Sequence, residues 1–388
     1  IRRPPRSTPS NSSAASDVYK RQDFHDIGSR KQLFIDHSII EKMENLHLAV
    51  GKSEKYAGNP VLTPTQPWEY SNGWATVLYD PEEYLFKMWY QVRWHKTLER
   101  FYICYAISSD GIHWEKPKLG LFKYKGLKYN NIVLAQDIKT IMDAPSVIKD
   151  KTNSDSTRCY KMLIRENDRG VKGARAVFSM DGIHWKRYPV FPLIDTGDAI
   201  SCYFDEKLKK YIAFTKDRVG GKRARFISVS RDFVNWSTPR ILLKADNQDP
   251  SDVELYHNNG FIYEGYHIGL LDVFHTNSQI IDVQLIISSD GLKWKRFFSR
   301  KPFISPGSKK SWDCGMVLST NSSPIIRNDE IWIYYCGVNG THNVEQSISA
   351  IGILKVRMDG FASVNADEEE GILTTNPFVF KGLSLIHI

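Results

Sequence analysis

No apolar run in the 388-residue sequence approaches the length of a membrane span. The five cysteines, Cys104, Cys159, Cys202, Cys314 and Cys336, are scattered and odd in number. None forms a pair at metal-ligating spacing, so a zinc motif is excluded and buried strand positions are expected. Nor is there a glycine-rich phosphate loop or a serine-nucleophile elbow, which leaves nucleotide binding and serine-type acyl transfer without a local signature. Lysines and arginines do not gather with stacking aromatics as a nucleic-acid groove requires. The formal net charge of +8 adds little, because Arg2, Arg3, Arg6, Lys20 and Arg21 against Asp17 supply half of it. Residues 1–22 and 383–388 resemble translated sequencing-library adapter and are expected to be artefactual. With the start of the chain in that state a signal peptide is not observable, and the compartment is left open, with a secreted or periplasmic one favoured.

What the sequence does have is a repeat. Ser108-Ser109-Asp110-Gly111-Ile112-His113-Trp114 returns as Ser179-Met180-Asp181-Gly182-Ile183-His184-Trp185 and as Ser288-Ser289-Asp290-Gly291-Leu292-Lys293-Trp294. A looser copy is Ser230-Arg231-Asp232-Phe233-Val234-Asn235-Trp236, and a degenerate one is Met358-Asp359-Gly360-Phe361. The serine two before the aspartate and the tryptophan four after it suit a tight turn between strands. The carboxylate bonds the turn's amides while the indole packs beneath it. The five aspartates are 51 to 71 residues apart, room each time for a four-stranded unit. Repetition on that scale predicts an all-β chain, a five-bladed β-propeller.

Short β-branched and aromatic runs precede each copy, at least three per unit, as strand meanders do. The propeller is expected over 59–365. Residues 23–58 form a lead-in with a possible helical turn at 39–43, and an N-terminal strand from it completes the last blade. Residues 366–382 are expected to be a linker and the start of a truncated C-terminal β-sandwich.

In a propeller the first strand of each blade lines the axis, so polar residues where that strand begins converge on one funnel. Those positions are acidic: Asp143 in the second blade, Asp198 in the third, Asp252 and Glu254 in the fourth, Asp313 in the fifth, with Glu69 at the first. Crowded carboxylates raise one another's pKa, and one then serves as an acid while its neighbour stays ionised, the requirement for cleaving a glycosidic bond. An aspartate there also serves as a turn cap; its recurrence at one end of successive blades favours the site. Trp68, Trp74 and Trp312 stand beside these positions as sugar-stacking platforms, Arg93 and Arg165 as hydroxyl or carboxylate clamps, and His267 and His275 as groups able to reach the channel. The aspartates and tryptophans of the repeated turns are assigned to structure.

The Ser-x-Asp-Phe-Val-Asn-Trp stretch at 230–236, its companions ending Ile-His-Trp-Glu (112–115) and Ile-His-Trp-Lys (183–186), and Asp143-Ala144-Pro145-Ser146-Val147 resemble the five-bladed propeller glycoside hydrolases of families 32, 43, 68, 117 and 130. The resemblance implies hydrolysis or transfer at a terminal sugar by three carboxyl groups from successive blades, with an oligosaccharide or glycoside as substrate and neither cofactor nor metal. Asp143 is expected as base or stabiliser, Asp198 as its partner and Glu254 as proton donor. The sequence departs from the family pattern at three places. The first blade offers only Glu69, Ala144 separates Asp143 from its proline, and Asp198 stands where a glutamate is usual. A non-catalytic glycan-binding propeller and a glycoside phosphorylase are the alternatives.

Overall fold

A computed structural model of the protein describes residues 25–93, 101–135, 140–152 and 154–382. The expected adapter segments, 1–22 and 383–388, lie outside them. Apart from one 3-10 turn at Ser156–Arg158, the regular elements of the described residues are strands.

Five antiparallel four-stranded units follow one another along the chain. Blade one comprises Ser71–Asp80, Leu85–Arg93, Phe101–Ser108 and Ile132–Leu134. Blade two has Thr140–Lys149, Tyr160–Asp168, Val171–Ser179 and Lys186–Arg187; blade three has Ser201–Asp205, Lys210–Val219, Lys222–Ser230 and Arg240–Leu243. Blade four has Val253–Asn258, Tyr266–His275, Ile280–Ser288 and Trp294–Arg296. Blade five takes Met316–Ser319, Glu330–Val338 and Ser349–Arg357 from its own stretch and Ser53–Lys55 from near the N-terminus. Apolar side chains fill the space between neighbours, as Trp89, Tyr105, Met162 and Val177 do between blades one and two.

The innermost strands are joined in a ring. Thr76 Oγ1 donates to the Pro145 carbonyl at 2.9 Å, Ser146 Oγ to that of Cys202 at 3.1 Å, and Ser201 Oγ to that of Asn258 at 2.5 Å. Asn259 Nδ2 donates to the Thr320 carbonyl at 2.8 Å, and the Val77 amide to Ser322 Oγ at 2.8 Å, which returns to blade one. Asn321 crosses the axis. Its amide donates to the Ala75 carbonyl, its Nδ2 to those of Ala144, Pro145 and Ile200, and its Oδ1 lies 3.1 Å from His257 Nε2. One residue of blade five thereby bonds all four other blades. The propeller has five blades.

The repeated turns lie at the lower end, where the third strand of each blade runs out. In the first, Ser108 Oγ accepts the amides of Asp110 and Gly111, and Asp110 Oδ1 accepts those of Ile112 and His113, both at 2.8 Å. The copies at 181, 232 and 290 repeat this pattern. The glycine after the aspartate has φ between +70° and +80° in three copies. Phe233 takes the same conformation at +69° and buries its ring completely in exchange.

Two segments outside the blades differ from expectation. Residues 39–43 are not a helical turn: Ile40–Glu44 is a strand paired with Ile372–Thr375. Leu46–Val50 pairs with Ala362–Ala366 and His25–Gly28 with Phe378–Phe380, so the strands expected to begin a sandwich lie along the lead-in.

Candidate active site

Each innermost strand starts at the upper end, and each of the first four is irregular there. Pairing between blade one's first two strands skips Trp74, in blade two it skips Ala144 and Pro145, and in blade four it skips Tyr256. Ala144 and Ala199 both have positive φ, 52° and 60°. Such bulges re-aim side chains by one position. The extra residue between Asp143 and Pro145 is therefore absorbed by a bulge, and Asp143 stands opposite Arg165 in the ladder.

Three carboxylates from successive blades each meet a cation. Asp143 Oδ2 accepts from Arg165 Nη1 at 3.0 Å, Asp198 Oδ1 lies 2.5 Å from Lys216 Nζ, and Glu254 pairs with Arg223. Lys216 sits 3.9 Å above the Tyr256 ring. The Tyr256 hydroxyl is 3.2 Å from His342 Nε2, and Trp74 stacks on Tyr256 with 17° between the planes. Trp74, Gln91, Arg93, Tyr256 and His342 line a cavity of about 200 Å³. The carboxylates adjoin it through Tyr256 and through Gln91, whose Oε1 accepts the Ala144 amide at 2.8 Å. Behind the site the buried Arg225 donates to Asn258 Oδ1 and to the carbonyls of Tyr256 and Ala199, bracing two of the irregular strand starts.

The two neighbouring aspartates have opposite electrostatics. Burial pushes Asp143 up to about 7, and Asp198 adds to this against the pull of Arg165 and Lys216. Among the described residues its buried Oδ1 has no hydrogen-bond partner. Burial also acts to raise Asp198, but the charge and hydrogen bond of Lys216 outweigh it and hold this carboxyl below the usual range. Lys216 itself falls to about 8, mainly through burial, which the attraction of Asp198 offsets in part.

Of the residues singled out from sequence, Asp143, Asp198, Glu254, Trp74, Arg93 and Arg165 meet at this end of the axis. Six others do not. Trp68 is core, its indole donating to Asn131 Oδ1 at 3.0 Å. Glu69 is a buried cap, accepting from the Thr65 and Gln66 amides, the Tyr90 hydroxyl and Lys116. Asp252 caps the turn at Thr276 and Asn277. Trp312 packs on Tyr335, while Asp313 pairs with Lys55 and accepts from the Tyr335 hydroxyl, both turned into the core shared by blades four and five. His267 begins the second strand of its blade at the lower end, beside Asp205 and Trp294. His275 is at the upper end but is taken by Asp282 at 2.6 Å.

Sequence reading missed Lys216, Arg223, Tyr256, His342 and Gln91. The signal available for the first two was a pair of cations flanking the Asp217–Gly221 hairpin, which reads as a solvated face. Among the described residues no cluster of three His, Cys, Asp or Glu side chains is placed to hold a metal ion.

No family model and no curated protein matches the sequence. Solved structures do. A thermostable family-43 glycoside hydrolase superimposes with a TM-score of 0.54 at 15% identity, over 81% of this chain and 98% of that one. An N-acetylgalactosamine deacetylase from F. plautii, in complex with blood group B trisaccharide, gives 0.53 at 15% over 81% and 96%. A member of the GH130 family of mannoside phosphorylases, described as containing hydrolases that target beta-1,2 mannosidic linkages in Candida mannan, gives 0.51 at 15% over 79% and 94%. The chain shares the fold of these structures. At this identity the likeness is one of fold, and function has to be argued from the site.

Proposed function

We propose that the protein is a carbohydrate-active enzyme that hydrolyses a terminal glycosidic bond at the upper mouth of its propeller. The observation that carries this reading is the split between Asp143 and Asp198. Asp143 holds a proton near neutrality and has one oxygen free of partners, as a general acid must; Asp198 stays ionised beside it, as a base or charge stabiliser must. Glu254, bound by Arg223, is then a substrate-orienting group. This exchanges the roles expected from sequence, where Glu254 was the donor. Trp74 and Tyr256 supply the apolar platform for a sugar face. Asn321 closes the axis below the site, so a chain end fits where a chain interior would not, which supports exo action. The test is hydrolysis of aryl glycosides and plant or algal oligosaccharides by the native protein, Asp143→Asn and Asp198→Asn. Turnover by the native chain that is lost in both variants supports the reading, and turnover retained in both defeats it. Saturable binding of oligosaccharides without turnover would favour the lectin-like alternative.

The cations favour a second reading. Arg93, Arg165, Lys216 and Arg223 surround one mouth, a set suited to an oxyanion, and phosphorolysis would use inorganic phosphate in place of water. Turnover that requires phosphate and releases a sugar phosphate would select it.

A further inference from the structure

Lys216 is a buried cation with an asymmetric set of neighbours. Its Nζ lies 2.5 Å from Asp198 Oδ1 and 3.9 Å above the centre of the Tyr256 ring, and its side chain is 6% exposed. Its backbone holds the same loop: the Lys216 carbonyl accepts from the Gly197 amide at 2.9 Å, and the Lys216 amide donates to Thr196 Oγ1 at 3.2 Å. Main chain and side chain together clasp residues 196–198. Among the described residues Asp143, one blade away, has no such contact with Lys216, and its charged hydrogen-bond partner is Arg165, through a single oxygen.

We propose that Lys216 is a positioning residue that keeps Asp198 as the anion of the pair and thereby leaves the proton the two carboxyls would share on Asp143. The proposal rests on the reading of this mouth as a hydrolytic site. Two neighbouring carboxyls with nothing to distinguish them share a proton, and each then spends part of its time in the wrong form for its task. A cation bonded to one of them removes the ambiguity, and the ring of Tyr256 holds the ammonium where water does not screen it. The other charged and titratable groups facing Lys216 are consistent with this division. Arg223 and Arg225 oppose its charge, Arg165 is occupied by Asp143, Asp272 offsets the charge of Arg225, and His342 and the Tyr256 hydroxyl are bound to each other.

The experiment is a carboxyl-carbon NMR titration of protein labelled at aspartate, with Asp143→Asn and Asp198→Asn identifying the two signals. It needs no substrate. In the native protein one carboxyl is expected to titrate near pH 7, with its signal absent from Asp143→Asn. In Lys216→Met the Asp198 signal is expected to move up by about one pH unit or more, with the Asp143 midpoint moving in response. Lys216→Arg restores the native pattern. Lys216→Gln, which keeps a polar contact to the loop and removes only the charge, gives the same reading if the methionine variant fails to fold. Midpoints unchanged in a folded Lys216→Met or Lys216→Gln protein overturn the proposal, since a merely structural clasp leaves them in place. On an active substrate, the shift should appear as a displaced limb of the kcat/KM pH profile with kcat reduced more than KM is altered. A native titration pattern accompanied by no turnover on any glycoside defeats the hydrolase reading and leaves the role of Lys216 in place; unchanged midpoints with turnover intact defeat Lys216 alone.

Discussion

The two ends of the propeller use the same side chain in opposite ways. At the lower end, Asp110, Asp181, Asp232 and Asp290 each bond two backbone amides and a serine hydroxyl, and although burial alone would raise them all four sit below the ordinary carboxylate range. These three partners recur from blade to blade, because a turn has the same orphan amides wherever it occurs. At the upper end Asp143, Asp198 and Glu254 have three different partners, and Asp143 has an oxygen with none. A carboxylate satisfied by backbone in every copy is there for the fold. One that is buried, differently paired in each blade and incompletely bonded costs stability where it stands, and that cost points to chemistry.

The comparison is tested most strongly at the upper end. Asp143→Asn and Asp198→Asn should each lower kcat by about 10²- to 10⁴-fold, the range of a lost general acid or base; a loss under tenfold in both would erase the distinction between the ends. The lower end should give the reverse result. Asp181→Ala, which frees two amides, is expected to cost about 0.5–2 kcal/mol in urea denaturation while leaving kcat unchanged. A smaller effect separates the ends by pH. The turn carboxyls are depressed in the fold, Asp232 to about 2, so the stability they supply is present above about pH 4 and is lost as pH falls toward 2. Asp143 is raised in the fold, so its contribution is present below about pH 4 and is lost as pH climbs to about 7. Thermal melts across pH should rise on the acid side and decline toward neutrality, and Asp143→Asn should flatten only the second limb. The smallest effect belongs to the exposed ring of His184, which bonds Asp181 at 2.7 Å. His184→Ala should change stability by no more than about 0.5 kcal/mol, and a larger loss would mean that the turn depends on more than its amides.

The repeat was legible because the turn demands its residues at fixed spacing: serine, aspartate and a left-handed position are needed together whatever surrounds them. The upper carboxylates were legible for a related reason, as the start of an innermost strand faces the axis in every blade. Side-chain direction was not legible. Trp68 and Trp74 are six residues apart at the start of blade one, yet the first, ahead of the strand, is core and the second, within it, lines the cavity, because the bulge at Trp74 is invisible in a sequence. Asp313 and Trp312 were misplaced because they stand in a turn ahead of blade five's first strand, and the direction of a turn is not given by its sequence. Lys216 and Arg223 escaped notice because a cation near a hairpin reads as solvated, and only the fold shows that the hairpin of blade three leans over Tyr256.

The short strand Ser53–Lys55 pairs with Leu354, Lys355 and Val356, some of the most distant partners in the chain. Four blades and most of the fifth therefore leave the ribosome before the piece made first has anywhere to dock. Until then blade five presents a bare edge, and the ring is an arc whose ends are free to meet a neighbouring chain. The entropic cost of closing a loop grows only slowly with its length, so what a late closure adds is time as an open arc, during which unpaired strand edges can meet a neighbouring chain.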